Sequence, residues 1–540
     1  MEKRTILALA LSFLVIGLYP TILQKFYPDY YKNKPAVAST STAAPAAVAS
    51  KSSAGTEKFV NPGAFTAEDD LAFDNGSLSL IFNKKDGGIR EIDFSKYTNS
   101  DTSRPIRFIS LKSAGVSPGA LVVNTASGAT PILDHRVEIT GTQVRTEAAG
   151  LGGKLKVQKR LDFQSAYLAE QTLDLENTSD EPLSFSYELL AGSGVIPRHS
   201  IDAQYVESNF FSTASGKPQL KHLKENRSGK TVQSSGPVDW VAVKDRHFSV
   251  IVKPKSGVFS GLHRGLGAND FSASLISSEI ALAPRSRLSQ VFTVYIGPNE
   301  LEPLTAAGLG DIVNFGKFDW IGKLCVGALE LIQGLVRNYG LTVIALTTLI
   351  NLLLFPLTRV SYMSMKRMQL IQPQITKLRE HNKKNPEKLN REMMELYKKH
   401  KVNPFGGCLP MILQIPIFIA LYVALSKYVP LVNAKFLWVR DLSSPDKVYL
   451  PFTLPFLGNS IHLLPLLMCV AMALQQKFTQ IKMENQDPQM AMQQKMMAVM
   501  MPVIFGFIFY EMPSSLVLYW LTNTILMSLY QLRLKNMTLA

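Results

Sequence analysis

Tyr339–Leu357 reads YGLTVIALTTLINLLLFPL, 19 residues without a charged side chain. That is close to the roughly 20 residues an α-helix needs to cross a bilayer at about 1.5 Å per residue. Arg359 then opens a stretch to Lys401 that holds twelve Lys or Arg against four Glu, a local balance of +8 within a chain of net charge +15. An excess of positive charge can signal nucleic acid, an anionic membrane surface, or the loop bias of a membrane protein. Here it joins two hydrophobic stretches, so the simplest reading is a cytoplasmic segment, with no specific nucleic acid partner.

Working outward, further apolar runs predict transmembrane helices at 407–427, 456–475, 496–510 and 515–532, besides the one at 338–358. The runs at 496–510 and 515–532 are short for a spanning helix, implying tilt or local thinning of the bilayer. Ile6–Leu23 follows the charged start Glu2, Lys3 and Arg4. With Tyr19, Pro20 and Lys25 at its end, it reads as a first transmembrane helix (1–24) rather than a cleaved signal peptide. Residues 25–57 are a linker, because the Ala, Ser, Thr and Pro of Lys34–Gly55 cannot bury enough surface to fold. Segment 58–305 changes to short alternating runs such as Leu78–Phe82, Leu155–Val157, Leu183–Leu189, Val238–Val243, Phe248–Val252 and Val291–Ile296, punctuated by Gly, Asn, Asp and Pro. This predicts one antiparallel β sandwich on the outer side, and its linker suggests that it is dispensable to the helical part.

Residues 306–337 carry Trp320, Leu324, Leu331 and Leu335 beside Lys323 and Glu330. An amphipathic helix lying in the interface avoids burying those charges. Segment 359–406 reads as a helical hairpin: Met368, Ile371, Ile375 and Leu378 recur at helical spacing, Asn385 and Pro386 interrupt, and Leu389, Met393, Leu396 and Tyr397 continue. Ile375, Pro386 and Leu389 are its key positions. A solvated hairpin and a docking arm for ribosomes or nascent chains share this pattern. The segment 428–455 is then an outer loop and 476–495 an inner one, with the amino terminus inside.

Several polar side chains fall at membrane depth. Thr347 and Asn351 share one face of a helix and Thr348 lies a turn away, while Gln414 sits in a second span and Tyr519, Trp520, Thr522 and Asn523 in a third. Single polar residues usually join helices, but a set spread over three spans suits a wet cavity, since lipid-facing amides are costly. The Met-rich stretch from Met468 to Met501 suits irregular apolar partners, although ordinary packing explains most of it. Cys325, Cys408 and Cys469 lie far apart and suggest neither disulfides nor a metal centre. With no phosphate loop, metal-ligand spacing or nucleophile motif, the chain reads as a non-enzyme requiring no cofactor.

A run of local motifs resembles the YidC-type membrane protein insertases. They are Asn338-Tyr339-Gly340, Phe355-Pro356-Leu357-Thr358, Met368-Gln369, Gln372-Pro373, Tyr397-Lys398, Val402-Asn403-Pro404-Phe405-Gly406-Gly407-Cys408 and Gln414-Ile415-Pro416-Ile417-Phe418, followed by Asp487-Pro488, Gln493-Gln494-Lys495, Met501-Pro502-Val503 and Pro513-Ser514 through Leu516-Val517-Leu518-Tyr519. With the β region and first helix, the whole chain matches the long form of two-membrane bacteria. The resemblance implies an α-helical polytopic protein of six spans with a five-helix insertase core, a periplasmic β sandwich and a cytoplasmic hairpin, in the cell inner membrane. It implies a hydrophilic groove open to the cytoplasm, and the polar residues read above, Thr347, Thr348, Asn351, Gln414, Tyr519, Trp520, Thr522 and Asn523, are the candidates to line it. Implied partners are nascent integral membrane proteins, the ribosome, the general secretion channel and membrane lipid. Family members carry a positive residue five positions before the Pro matched by Pro356; here that position is Asn351.

Two other functions fit parts of the pattern. A secondary transporter requires paired repeats and discontinuous helices, and only the span holding Pro410 and Pro416 is interrupted. An envelope sugar-binding protein with an anchor leaves five spans unexplained.

Overall fold

The computed structural model describes residues 70–100, 102–111, 117–214, 219–223, 231–265, 271–382, 385–400, 409–454, 458–479 and 488–535. The expected first helix, the linker, the motif Val402–Cys408 and residues 480–487 of the expected 476–495 loop lie outside these residues.

Strands from Asp70 to Pro298 form three antiparallel sheets. Four consecutive strands, Asp70–Asp74, Leu78–Asn83, Ile89–Thr98 and Pro105–Ser110, make the first. The largest, of nine strands, has Trp240–Lys244, Phe248–Pro254, Arg287–Pro298 and Leu168–Asn177 side by side at its centre. The third contains Leu183–Gly192 beside Phe271–Ser277. All six alternating runs expected from sequence fall on strands, except that Val238 and Asp239 precede theirs, which begins at Trp240. Leu155, Val157, Leu161 and Phe163 alternate inward on one strand, the period-2 signature of a half-buried sheet. Phe94 stacks on Phe248 across the sandwich at 4.1 Å, and Phe73 on Phe163 at 4.8 Å.

The central strands are buried on both faces, and that decides how the two halves of the chain meet. In Trp240–Lys244, Val241 and Val243 enter the sandwich core whereas Trp240 and Ala242 enter a second core. Ile251 and Tyr295 do the same on neighbouring strands. This second core continues through Leu304, Leu309 and Ile312 into the helices, reaching Val343, Leu346, Leu421, Met468 and Leu516. The sandwich therefore shares a hydrophobic core with the helical region. The expected linker lies outside the described residues, and within them the sandwich joins the helices through this core: continuous apolar runs such as Trp240–Val243 need cover on two faces.

Helices α1 (Leu301–Ala306), α2 (Asp319–Val336), α3 (Tyr339–His381), α4 (Pro386–Lys399), α5 (Leu409–Lys427), α6 (Leu463–Thr479), α7 (Pro488–Phe509) and α8 (Ser514–Lys535) follow. α2 turns Gly322, Cys325, Val326 and Leu329 to the core and leaves Trp320, Leu324, Leu331 and Leu335 exposed. At about 100° per residue the exposed four lie within about 60° of one another, opposite the buried face, with Lys323 and Glu330 along the border.

Some boundaries differ from the expected ones. α3 is one continuous helix of 43 residues rather than a span ending at 358 and a separate hairpin arm. Its length of about 65 Å exceeds any bilayer, and Pro356 and Pro373 are accommodated inside it. Residues before Leu463 do not begin α6, because Gly458–Ile461 pairs with Val448–Leu454 as a β hairpin. α7 starts at Pro488, not at 496, which gives it 22 residues. α3 alone is both long and apolar enough over 18 residues to pass as a span by composition among the described residues.

Local chemistry accounts for the quoted motifs. Asn338 caps α3 by accepting from the backbone N–H of Leu341 at 3.1 Å. Tyr339 meets Tyr428 edge-on, and Gly340 leaves room for the Phe436 ring, which any Cβ there would overlap. Ser514 and Ser515 donate their backbone N–H groups to the carbonyls of Ser444 and Leu442, tying the start of α8 to the loop after α5.

Candidate functional site

α8 packs against α3, α5 and α6, and one of its faces gathers much of the polar set. Tyr519 and Asn523 are four apart and share that face. Asn523 Oδ1 accepts from Asn351 Nδ2 at 3.0 Å, linking α8 to α3. Tyr519 accepts through its hydroxyl from Gln414 Nε2 at 2.9 Å, linking α8 to α5. Asn351, 5% exposed, also donates to the Thr347 carbonyl at 2.8 Å. Thr347 and Thr348 return their hydroxyls to the carbonyls of Val343 and Ile344. Such back-bonding satisfies a hydroxyl in an apolar environment without a partner helix.

The remaining two residues behave differently. Trp520 packs edge-on against Phe418 at 4.9 Å and against Phe505 and Phe509 at 5.2 and 5.3 Å, so its indole closes the aromatic side of the site. Thr522 is half-buried and is not drawn into either pair. Amides, hydroxyls and an indole supply hydrogen bonds without a formal charge. Among the described residues no group of three or more His, Cys, Asp or Glu could hold a metal.

In the hairpin region, Ile371 and Ile375 form a small buried seam with Met368, Met393, Leu396 and Tyr397. Leu389 is half-buried and stands outside it, which corrects its choice as a seam residue. One turn of α4 separates it from Met393, and the seam is closed instead by Asn382 Nδ2 donating to Glu392 at 2.7 Å. Pro386 occupies the first turn of α4 behind the Asn385 cap, where its missing N–H costs nothing.

The polar joint between sandwich and helices was not anticipated from sequence. Arg246, 3% exposed, donates from Nη2 to the Ser443 carbonyl at 2.8 Å and pairs with buried Asp202. Asn433 exchanges two hydrogen bonds with the backbone of Thr98, and Tyr205 meets Tyr422 hydroxyl to hydroxyl. Asp441 organises the loop by accepting from Ser443 and Ser444, and Asp446 accepts from the Leu464 N–H at the start of α6. The pattern Asp441, Ser443, Ser444, Asp446 was the available signal, as Asp and Ser favour such local turns.

Residues 331–539 match the family described as 60Kd inner membrane protein, and residues 70–326 match the YidC periplasmic domain. A membrane protein insertase YidC from Geobacter sp. strain M21 is 32% identical over 97% of this chain and 98% of its own. The chain belongs to the YidC family of membrane protein insertases. Another YidC, from Syntrophus aciditrophicus, is 31% identical over 97% of this chain and 98% of its own. The one from Citrifermentans bemidjiense is 31% identical over 85% and 83%. A solved structure of an active YidC insertase with the first transmembrane domain resolved is 20% identical, covering 88% of this chain and 94% of that one at a TM-score of 0.37. The family assignment makes the protein an inner membrane insertase, its β sandwich the periplasmic domain, and its clients membrane proteins.

Proposed function

We propose that α3, α5 and α8, with α6 and α7, form a hydrophilic groove through which the polar flank of a client slides while its apolar segment passes into lipid. The observation that carries this reading is the pair of cross-helix hydrogen bonds from one face of α8, Asn351 to Asn523 and Gln414 to Tyr519. Neutral donors and acceptors can exchange these bonds for bonds to a client backbone or to water, whereas a fixed ion pair would resist exchange. Thr347, Thr348, Trp520 and Thr522 complete the lining. Burial of the client's apolar residues supplies the drive, at about −0.3 to −0.6 kcal/mol for each Leu, Ile, Phe or Val at mid-membrane.

In the same reading the chain crosses the membrane six times with its amino terminus inside. α2 lies at the outer surface with its Trp320, Leu324, Leu331 and Leu335 stripe in lipid, and the basic half of α3 with α4 stands in the cytoplasm. There it meets nascent chains at the ribosome, and the protein works alone or beside the general secretion channel. The test is reconstitution of the purified protein in liposomes with a small single-span client. Protease protection of the client should appear with this protein alone and fall when Asn351 and Gln414 are both replaced by Leu; unchanged insertion by that variant refutes the groove.

A further inference from the structure

We propose that a groove of about 430 Å³ on the periplasmic domain, between the Ile89–Thr98 and Pro105–Ser110 hairpin and the Ile196–Arg198 segment, binds the headgroup of an anionic phospholipid of the outer leaflet. Its charged lining is Arg104, Arg107, Arg198 and Asp93, a balance of three positive against one negative, with Asn99 and Thr102 as further polar groups. Arg107 is committed within the fold, bonding both Asp93 oxygens at 2.8 and 2.9 Å and Glu91 at 3.0 Å. Arg104 is exposed, and its side chain has no partner among the described residues. Arg198 donates from Nη2 to His247 Nδ1 at 2.6 Å. A guanidinium can only donate, so the imidazole accepts, and burial beside Arg198 and Arg246 holds it neutral. Asp245 offsets some of this charge from inside the fold, but its Oδ1 is taken by the backbone N–H groups of His247 and Phe248. The groove thus presents the whole guanidinium of Arg104 and only Nη1 of Arg198, whose Nε is buried and whose Nη2 is held by His247, donors of the kind that recognise phosphate oxygens.

Its position identifies the source of the phosphate. Thr98, at the edge of the groove, is bonded through both backbone groups to Asn433, in the loop that leaves the end of α5. That loop carries exposed Leu437 and, on its hairpin, exposed Tyr449 and Phe452. A smaller cleft lined by Ser100, Arg440, Asp441, Lys447 and Tyr449 continues from the Asn99–Ser100 turn, with Arg440 over the Tyr449 ring at 5.8 Å. Basic groups beside exposed aromatic and apolar side chains are the composition of the headgroup layer. A groove of this volume suits a compact headgroup.

The proposal rests on the outward placement of the Lys427–Pro455 loop given above, so its test separates the two. Full-length protein in detergent is titrated with short-chain phosphatidylglycerol, with phosphatidylcholine of equal chain length and with inorganic phosphate, and bound species are counted by native mass spectrometry. Phosphatidylglycerol should bind in preference. Arg104→Glu should weaken it about tenfold, the scale of one charge-assisted hydrogen bond, while Arg104→Lys restores part and phosphatidylcholine is unaffected. Equal binding by wild type and Arg104→Glu overturns the proposal. So does inorganic phosphate binding as tightly as the lipid, or displacement of the lipid by a Glu-rich peptide. Labelling of Arg104→Cys by an impermeant maleimide from the outer face shows the orientation to hold, so that a failed titration then counts against the headgroup site alone; labelling only from the inner face overturns both.

Discussion

Asn351 on α3 and Asn523 on α8 face each other amide to amide at 3.0 Å, and Asn351 spends its second proton on the Thr347 carbonyl one turn back. Both donors of one amide are thereby used, so Asn351 locks its own helix and its neighbour together.

Asn351→Leu removes both bonds and strands Asn523 Oδ1. The expected loss of stability is about 1–2 kcal/mol, the range for interhelical hydrogen bonds in membranes. Adding Asn523→Leu should recover much of that stability, because no polar group is then left unpaired. Insertion of clients with polar translocated flanks should remain impaired in the double variant. Thermal unfolding and liposome insertion, measured on both singles and the double, check this; recovery of insertion together with stability shows that the pair is structural glue only. Asn351→Arg, placing at this position the positive charge that the family resemblance implies, is expected to be tolerated if water reaches the site.

The hairpin seam gives a second prediction. Ile375→Ala with Leu396→Ala should open the contact between α3 and α4 and reduce insertion, each truncation of a well-buried aliphatic side chain costing about 2–5 kcal/mol and less at partly exposed Leu396. Lys388→Ala and Arg391→Ala, at exposed i,i+4 pairs with Glu392 and Glu395, should change stability by about 0.5 kcal/mol or less. Proteolysis of the 385–400 segment and insertion rates distinguish the sets. Equal tolerance of both sets contradicts the seam's role.

Much of this was legible in the chain because periodicity is a local signal. Strand runs, the exposed stripe of α2 and the polar residues of α3 and α8 were found from spacing alone. What was missed depends on two faces being used at once. The run Val238–Val243 announces a strand, but not that Trp240 and Ala242 look away from the sandwich into the helices. The continuity of α3 was hidden by the change from apolar to basic residues at Arg359, a change in charge that says nothing of where the helix ends. The pairing of Gln414 with Tyr519 joins residues 105 positions apart, a distance that no helical period encodes.

A third prediction concerns acid. Burial lowers the pKa of His135 to about 3, of His263 to about 4, and of His199 and His247 below the ordinary imidazole value. Unfolded histidines bind a proton below about 6.5 while these folded ones do not, so stability is present above that value and is lost as the pH falls toward the folded values. Asp245, raised to about 6 by burial, and Glu300, also raised by burial, act in the opposite sense, since they are protonated in the fold before they are in the unfolded chain. Glu330 is raised by burial as well, so four imidazoles oppose three carboxyls, and the net slope should be a decline from pH 6.5 to 4.5. His135→Gln should flatten it, by up to about 1.4 kcal/mol per pH unit. Thermal unfolding of the full chain over this range is the measurement; a midpoint rising on acidification contradicts the assignment.

The last prediction concerns the joint between the sandwich and the helices. Arg246 is enclosed by Asp202, the Ser443 carbonyl and the Tyr205 ring, so Arg246→Ala leaves the Asp202 carboxylate, 1% exposed, without its cation. Breaking a buried pair from one side costs about 3–5 kcal/mol. Asn433→Ala removes two hydrogen bonds to Thr98, and its half-exposed position should hold the loss to about 1–2 kcal/mol. Since Trp240, Ala242, Ile251 and Tyr295 share a core with Leu304, Leu309 and the helices, unfolding of the full chain should move as one transition in both variants. Deleting residues 58–297 strips those side chains from the core and uncovers Leu304, Leu309 and Ile312, so the truncated protein should accumulate poorly. Replacing the three uncovered residues by Ser and Thr should recover accumulation more than it recovers insertion. A deletion that accumulates normally, together with an unchanged melting temperature for Arg246→Ala, would show that the sandwich is hung on the insertase and not built into it.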